Sequence, residues 1–188
     1  MYNIEDIKQD TVKAAISQSE MQLLYDLVKE RKPEYVVETG SGKSSAGILA
    51  ALRENGSGQL ISIDRPDQGG RSNKGQTEKI KAYWEEIKIY YPDWTIYDED
   101  ILHRLPLVVA DLPRIDFFFH DSLHESDHVL WEIKTVLPKM PKGGVVGMHD
   151  IGGKWRENME GVVQAMDVNP DFEFIQRHRI TGLWRKIR

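Results

Sequence analysis

Several residue types and patterns are missing from this chain, and each absence excludes a class of protein. The 188 residues include no cysteine, so neither disulfides nor thiolate metal sites can form. No apolar run approaches the length that spans a bilayer, and residues 1–6 lack the basic and apolar stretches of a secretory signal. The 25 Lys and Arg are outnumbered by 30 Asp and Glu, and the net charge of −5 disfavours a nucleic-acid surface. We therefore expect a cytoplasmic protein that binds neither nucleic acid nor membrane.

The residues that are present have the composition of an ordinary globular domain, with 40% hydrophobic and 29% charged residues. The length predicts a single domain over residues 1–188, in which residues 1–16 form a short N-terminal extension. An extension this short offers few elements for substrate recognition. A homodimer, in which two subunits share such elements, is therefore an open alternative.

Helix and strand patterns alternate from Ser17 onward. Ser17 and Glu20 fit a capping box at the start of the first helix. Five apolar segments predict strands in β-α units: Tyr35–Glu38, Leu60–Ile63, Trp94–Tyr97, Ile115–His120 and Gly144–Met148. Two later strand patterns, Phe172–Ile175 and Gly182–Ile187, lie too close together for a crossover helix, so we expect them to pair antiparallel. The chain is therefore predicted to form an α/β fold with a closing hairpin.

The most informative segment is the turn after the first strand, which reads Glu38-Thr39-Gly40-Ser41-Gly42-Lys43. A triphosphate-binding P-loop is disfavoured, because Val37 stands where that motif needs its first glycine. A dinucleotide fingerprint is weakened by Ser45, which occupies the third glycine position. Two other interpretations stay open: a nucleoside ligand without a pyrophosphate, and a tight strand–helix turn that binds nothing.

Acidic residues follow the next two strands at the same predicted edge of the sheet. Asp64 ends the second strand roughly two dozen residues after Gly40, where an acid can accept both hydrogens of a ribose diol. Asp64 could instead cap a turn before Pro66. The third strand is followed by Asp98-Glu99-Asp100, which could hold an exocyclic amine or form an exposed acidic turn.

In their order and spacing, these segments resemble class I S-adenosylmethionine (SAM)-dependent methyltransferases. The resemblance is strongest to small-molecule O-methyltransferases of the catechol, macrolide-sugar and cephalosporin-tailoring type, and it covers nearly everything from Ser17 to Arg188. The matching segments are Glu38–Gly42, Asp64, Asp100-Ile101, Asp121 after the fourth strand, and Pro141–Gly144 before the fifth. The resemblance implies a Rossmann-like doubly wound sheet of seven strands, mostly parallel, whose last strand inserts antiparallel beside the sixth.

The same resemblance implies which residues bind the cofactor SAM. Glu38 and the amides around Gly40–Gly42 would face its methionine part. Asp64 would hold the ribose hydroxyls, and Asp100 with the Ile101 amide would meet adenine. The complete implied set is Glu38, Gly40, Ser41, Gly42, Ser44, Asp64, Asp100, Ile101 and Asp121.

The acceptor side of such an enzyme has to align the nucleophile, the methyl group and the sulfur for an in-line displacement. A hydroxyl acceptor must also lose its proton, either to a general base or through coordination to a divalent cation. The residues available for this follow the fourth and fifth strands: His120, Asp121, His124, His149 and Asp150.

Asp121 and Asp150 are predicted on adjacent strand ends, where their carboxylates would suit Mg²⁺. His124, at the place where related catechol enzymes have a lysine, is the predicted general base, and Asp121 is the second predicted catalytic residue. Each histidine could instead serve only as a hydrogen-bonded support, which we favour for His149. A metal would favour a diol or sugar acceptor, whereas without one His124 would act alone.

We therefore expect a SAM-dependent methyltransferase that acts on a small molecule, at a hydroxyl oxygen. An NAD-type Rossmann oxidoreductase and a non-catalytic nucleoside-cofactor-binding protein remain the alternatives. The loop from Arg65 to Gly75 could fold over the cofactor as a lid, and Trp155 could begin a wall of the acceptor pocket.

Overall fold

The structure is a computed structural model that describes residues 16–66 and 74–188. The predicted N-terminal extension therefore lies outside the described residues except for Ile16. Most of the predicted lid, residues 67–73, also lies outside them.

One sheet of seven strands organises the described chain, in the order β3-β2-β1-β4-β5-β7-β6. The elements are α1 Gln18–Arg31, β1 Tyr35–Thr39, α2 Lys43–Asn55, β2 Gln59–Asp64, α3 Lys74–Tyr90, β3 Thr95–Asp98, α4 Ile101–Asp111, β4 Phe117–His120, α5 Ser126–Val136, β5 Val145–Met148, α6 Arg156–Asp167, β6 Phe172–His178 and β7 Thr181–Lys186. Strands β1 to β5 are parallel, while β7 pairs antiparallel with both β5 and β6. This architecture confirms the predicted Rossmann-like doubly wound sheet and its closing hairpin.

Helices cover both faces of the sheet because successive residues of each buried strand point to opposite sides. On β1, Val36 packs with the cluster formed by α1, α2 and α3, whereas Val37 packs with the cluster from α4, α5 and α6. Helix α1 begins with the predicted capping box, in which Ser17 and Glu20 satisfy each other's backbone amides. None of the helices in the described ranges is long and apolar enough to cross a membrane.

Helix α4 is an element whose bounds are not predicted from the sequence, and Pro106 stands in its interior. A proline there removes a backbone donor and costs about 3 kcal/mol. The helix forms nevertheless, because the Asp100 side chain accepts from the Leu102 amide at 2.8 Å and caps its first turn. Its inner face then buries Leu105 and Val108 against the sheet, and that burial offsets the proline.

The strand order places a crevice between β1 and β4. The chain leaves β1 toward α2 on one face of the sheet and leaves β4 toward α5 on the other. Such a switch point at the carboxyl ends of parallel strands is where open α/β sheets bind ligands. The turns that follow β1, β2, β4 and β5 all reach this edge.

Candidate active site

The turn after β1 interlocks with the turn after β4. Gly40 adopts φ +77°, and its amide donates to the Ile63 carbonyl at 2.9 Å. A Cβ on Gly40 would lie 2.0 Å from the Asp121 carbonyl oxygen, while the Asp121 amide donates to the Thr39 carbonyl at 2.7 Å. Glycine is therefore required at position 40 both for its backbone conformation and for this close approach.

Gly42, two residues further on, faces open space. A Cβ built there would meet no heavy atom of the described chain within 4 Å. The turn thus presents bare backbone at the crevice, which is the arrangement needed for a ligand to approach closely.

Glu38 is completely buried beneath this turn. Its carboxylate accepts hydrogen bonds from Ser44 Oγ at 2.5 Å, Ser45 Oγ at 2.6 Å and Ser62 Oγ at 2.8 Å. Ser62 Oγ also accepts from Trp94 Nε1 at 3.0 Å. Burial raises the pKa of Glu38 to about 7, although the hydroxyl donors oppose the shift. In the structure Glu38 organises the start of α2, and its contact with the methionine part of SAM stays a prediction.

Asp64 ties the end of β2 to the same turn. One carboxylate oxygen accepts from the Ser41 amide at 3.1 Å and from Ser41 Oγ at 2.9 Å. The side chain sits at the crevice with 6% of its surface exposed. The structure therefore brings the predicted ribose-binding acid together with the predicted methionine-binding turn.

Beyond Asp64, the ends of β2 and β3 border a cavity of about 410 Å³, lined by Arg65, Lys81, Asp98, Glu99, Asp100 and His103. Asp100 Oδ2 lies 3.9 Å from Arg65 Nη1. The following residue, Ile101, is partly buried against the core. The predicted adenine-binding pair thus lies at the edge of this cavity, next to the end of β2.

On the other side of the crevice, Asp121, His124 and Asp150 form a compact cluster. One ligand atom from each lies within 4.8 Å of the others, an arrangement that could hold a metal ion. The Nε2 atom of His124 is 3.1 Å from Asp150 Oδ2 and 3.9 Å from Asp121 Oδ1. The predicted base and the two predicted metal ligands therefore share one site.

The backbone at Asp150 explains how two consecutive side chains enter this site. Asp150 adopts φ +56°, in the left-handed region, directly after the regular pairing of β5 ends. As a result both His149 and Asp150 turn inward, with His149 Nδ1 3.0 Å from Asp121 Oδ1 and 3.7 Å from Asp150 Oδ2.

The environment of His149 favours its charged form. Burial alone lowers the pKa of this imidazole, but the charge and hydrogen bond of Asp121, with the charges of Asp150 and Glu20, raise it to about 9. His149 is thus an imidazolium at neutral pH that partly neutralises the carboxylates around it.

The ring of His124 is held between two other rings. Trp155 stacks on it with 5.0 Å between ring centroids and 12° between planes, and His120 meets it edge-on at 5.8 Å. His124 is buried, with 7% of its surface exposed. Trp155, the predicted wall of the acceptor pocket, therefore packs directly on the predicted base.

Residues 37–151 match the profile of a protein family described as a methyltransferase domain. The chain belongs to this family. No curated protein matches the sequence of this methyltransferase.

Solved structures share the fold of this methyltransferase. An O-methyltransferase from Bacillus cereus, in complex with SAH, superposes with a TM-score of 0.74 at 12% identity, over 98% of this chain and 90% of that one. The O-methyltransferase TomG from Streptomyces achromogenes, involved in tomaymycin synthesis and in complex with SAM, has a TM-score of 0.68 at 18% identity. The match covers 93% of this chain and 82% of TomG. The SAH-bound methyltransferase PaMTH1 from Podospora anserina has a TM-score of 0.69 at 12% identity, and the match covers 98% of this chain and 85% of PaMTH1. At these identities the likeness establishes the fold.

Two buried acids at the site of this methyltransferase are not among the residues predicted from its sequence. The first, Glu132 on α5, has no exposed surface and lies beneath the turns after β1 and β4. A sequence signal for it exists, because Glu132 occupies the buried helix face that carries Val129, Ile133 and Val136. A charged residue on such a face needs buried partners.

The second of these acids is Glu20 of α1, which was predicted only as a helix cap. Its Oε1 accepts from the Ile180 amide at 3.1 Å and from Thr181 Oγ1 at 3.0 Å, and lies 3.9 Å from His149 Nε2. Glu20 therefore links the first helix and the β6–β7 turn to His149 at the edge of the crevice. Nothing in the local sequence pattern points to this second role.

Proposed function

We propose that this methyltransferase uses SAM to methylate a hydroxyl oxygen of a small molecule. The observation that carries the proposal is the juxtaposition, across one crevice, of the Gly40–Gly42 turn bound to Asp64 and the cluster of Asp121, His124 and Asp150. One side has the features of a nucleoside site and the other those of a proton-transfer site. The SAM and SAH complexes of structures that share the fold support the cofactor.

The residues around the turn fit SAM better than a dinucleotide. The bare backbone at Gly42 leaves room for a close ligand, and Asp64, which is bound to the same turn, is the acid that we assign to the ribose diol. The Gly42 amide, however, donates to Ser45 Oγ at 3.2 Å. A pyrophosphate would need free amides at this helix start, so this contact disfavours the NAD-type alternative.

When bound, SAM supplies an electrophilic methyl group on a sulfonium sulfur. The chain's own contribution is to hold the acceptor hydroxyl in line with that methyl and to take its proton. His124 suits this task, because its buried ring brings Nε2 into the cluster, 3.1 Å from Asp150 Oδ2. Asp121 and Asp150 stand beside it and stabilise the positive charge that its imidazole gains.

A divalent cation such as Mg²⁺ would be held by Asp121 and Asp150, whose carboxylates are suitable oxygen donors. It would supply Lewis-acid polarisation of the acceptor oxygen. The nearby imidazole of His124 is also a ligand type for transition metals, so a cation bound to all three residues would remove the base. We therefore assign proton removal to His124 and treat the cation as an accessory held by the carboxylates.

Calorimetric titration with SAH and with NAD tests the cofactor assignment. We expect SAH to bind and NAD to bind far more weakly or not at all. Binding of NAD but not SAH would replace the proposal with an oxidoreductase. To test the reaction, SAH release from SAM is followed over a panel of catechols, sugars and other hydroxyl compounds, with and without EDTA. Binding without turnover on the whole panel would favour a non-catalytic cofactor-binding protein.

A further inference from the structure

We propose that Glu132 is a positioning residue: its buried carboxylate sets the place of both Asp121 and the Gly40 turn. The importance of Glu132 for catalysis rests on the proposed function, but its effect on the position of the two turns can be tested separately. Glu132 touches neither the crevice nor the predicted reacting atoms. It acts through the residues that flank them.

Each oxygen of Glu132 has two partners. Oε2 accepts from Thr39 Oγ1 at 2.8 Å and lies 2.7 Å from His120 Nδ1. Oε1 accepts from Ser122 Oγ at 2.7 Å and lies 2.9 Å from His128 Nε2. A carboxylate has the lone pairs for four such contacts, whereas an amide has only one accepting oxygen.

These partners are adjacent in sequence to the functional residues. Thr39 directly precedes Gly40, and His120 and Ser122 stand on either side of Asp121. The same two turns already interlock through the Asp121 amide, which donates to the Thr39 carbonyl, and through the close approach of Gly40 to the Asp121 carbonyl. Glu132 thus fixes both turns from below, on the face of the sheet covered by α5.

The carboxylate has the charge this role needs. Burial alone raises the pKa of Glu132, but the charge and hydrogen bond of His120, together with those of His128, lower it to about 2. Glu132 is therefore ionised at neutral pH while fully buried. Removing a partner from such a network leaves the remaining polar groups unsatisfied, so a small change at Glu132 should move the turns around Asp121.

The test compares Glu132→Gln with a control that loses stability elsewhere. Asp116 is the matched residue, because its Oδ2 accepts from the amides of Glu34 and Tyr35 at 2.9 and 3.0 Å, at the opposite end of β1. Melting temperature, the dissociation constant for SAH, and hydrogen–deuterium exchange at the Gly40 and Asp121 amides are measured for Glu132→Gln, Asp116→Asn and the wild type.

We expect Glu132→Gln to raise the SAH dissociation constant at least tenfold and to accelerate exchange at the Gly40 and Asp121 amides. Asp116→Asn should leave the SAH dissociation constant and the two exchange rates within about twofold of the wild type, even if its melting temperature falls as much as that of Glu132→Gln. Glu132→Asp, which keeps the charge, should recover part of the affinity. Equal behaviour of Glu132→Gln and Asp116→Asn at matched melting temperature would overturn the inference and leave Glu132 as a structural residue only.

If Glu132→Gln does not fold, Ser122→Ala replaces it, because that change removes a single donor to Oε1 next to Asp121. Faster exchange at Asp121 in this variant supports the inference, and unchanged exchange overturns it. Failure of the wild type to bind SAH would defeat the proposed function alone. The exchange comparison needs no ligand, so it still decides the role of Glu132.

Discussion

Glu38 should make the stability of this protein fall as the pH rises from its ordinary pKa of 4.5 to its folded-state pKa of about 7. Its folded-state pKa of about 7 lies above the ordinary value of 4.5, because the side chain is fully buried. Between these two pH values the folded protein keeps a proton that the unfolded chain has lost, so the free energy of unfolding decreases as pH rises. The pKa difference corresponds to a loss of about 3 kcal/mol in the free energy of unfolding. The whole loss is present above the folded-state pKa, and none of it is present below the unfolded-state pKa.

The assay is urea denaturation of the wild type and of Glu38→Gln at intervals from pH 5 to pH 8. Glutamine has the same shape and no charge, and the hydroxyls of Ser44, Ser45 and Ser62 can rotate to accept from its amide. We expect the wild type to lose about 2–3 kcal/mol more than the variant over this range. Comparing the two cancels the contributions of other groups, including His149. If the difference in unfolding free energy between the two proteins does not change with pH, the raised pKa of Glu38 is refuted.

Three further predictions concern the crevice. Asp64→Ala should weaken SAH binding by about 1–3 kcal/mol through a lost charge-assisted pair, and unchanged affinity in calorimetry would remove Asp64 from the site. Asp121→Asn and His124→Ala should lower turnover of SAM far more than SAH affinity; equal loss of both would indicate structural damage. Gly40→Ala should destabilise by about 3–5 kcal/mol in urea, against about 1 kcal/mol for Gly56→Ala, which has φ +68° but open space around it. Similar losses of stability in the two glycine variants would refute the close approach of Gly40 to the Asp121 carbonyl.

The fold and the main acids of the site were predictable because they depend on local patterns. Apolar strands and their connections predict a parallel sheet, and the carboxyl ends of parallel strands meet at one edge. The sequence alone therefore predicts Asp121 and Asp150 on adjacent strand ends and Asp64 beside the turn after β1. The capping box at Ser17 is likewise a short-range signal, and the structure confirms it.

The parts that were not predictable depend on contacts between distant segments. Glu132 meets Thr39 across 93 positions of the chain, and Glu20 meets Thr181 across 161. No periodicity identifies such partners. The inward turn of Asp150 is a backbone choice at a strand end, where an aspartate tolerates positive φ but does not require it. The local sequence therefore does not determine that His149 and Asp150 enter one site.

The insertion of β7 between β5 and β6 determines when the sheet can be completed during synthesis. During synthesis β6 emerges before β7, yet in the described sheet β6 pairs with β7 alone. Until β7 emerges from the ribosome, β6 has no strand to join, and the side of β5 away from β4 stays uncovered. Glu20 of α1 likewise has its partners Ile180 and Thr181 only after the β6–β7 turn has been made. The part of the crevice edge that Glu20 supports is thus completed only after β7 has been made, and ribosomes stalled before β7 should carry chains in which it is unfinished.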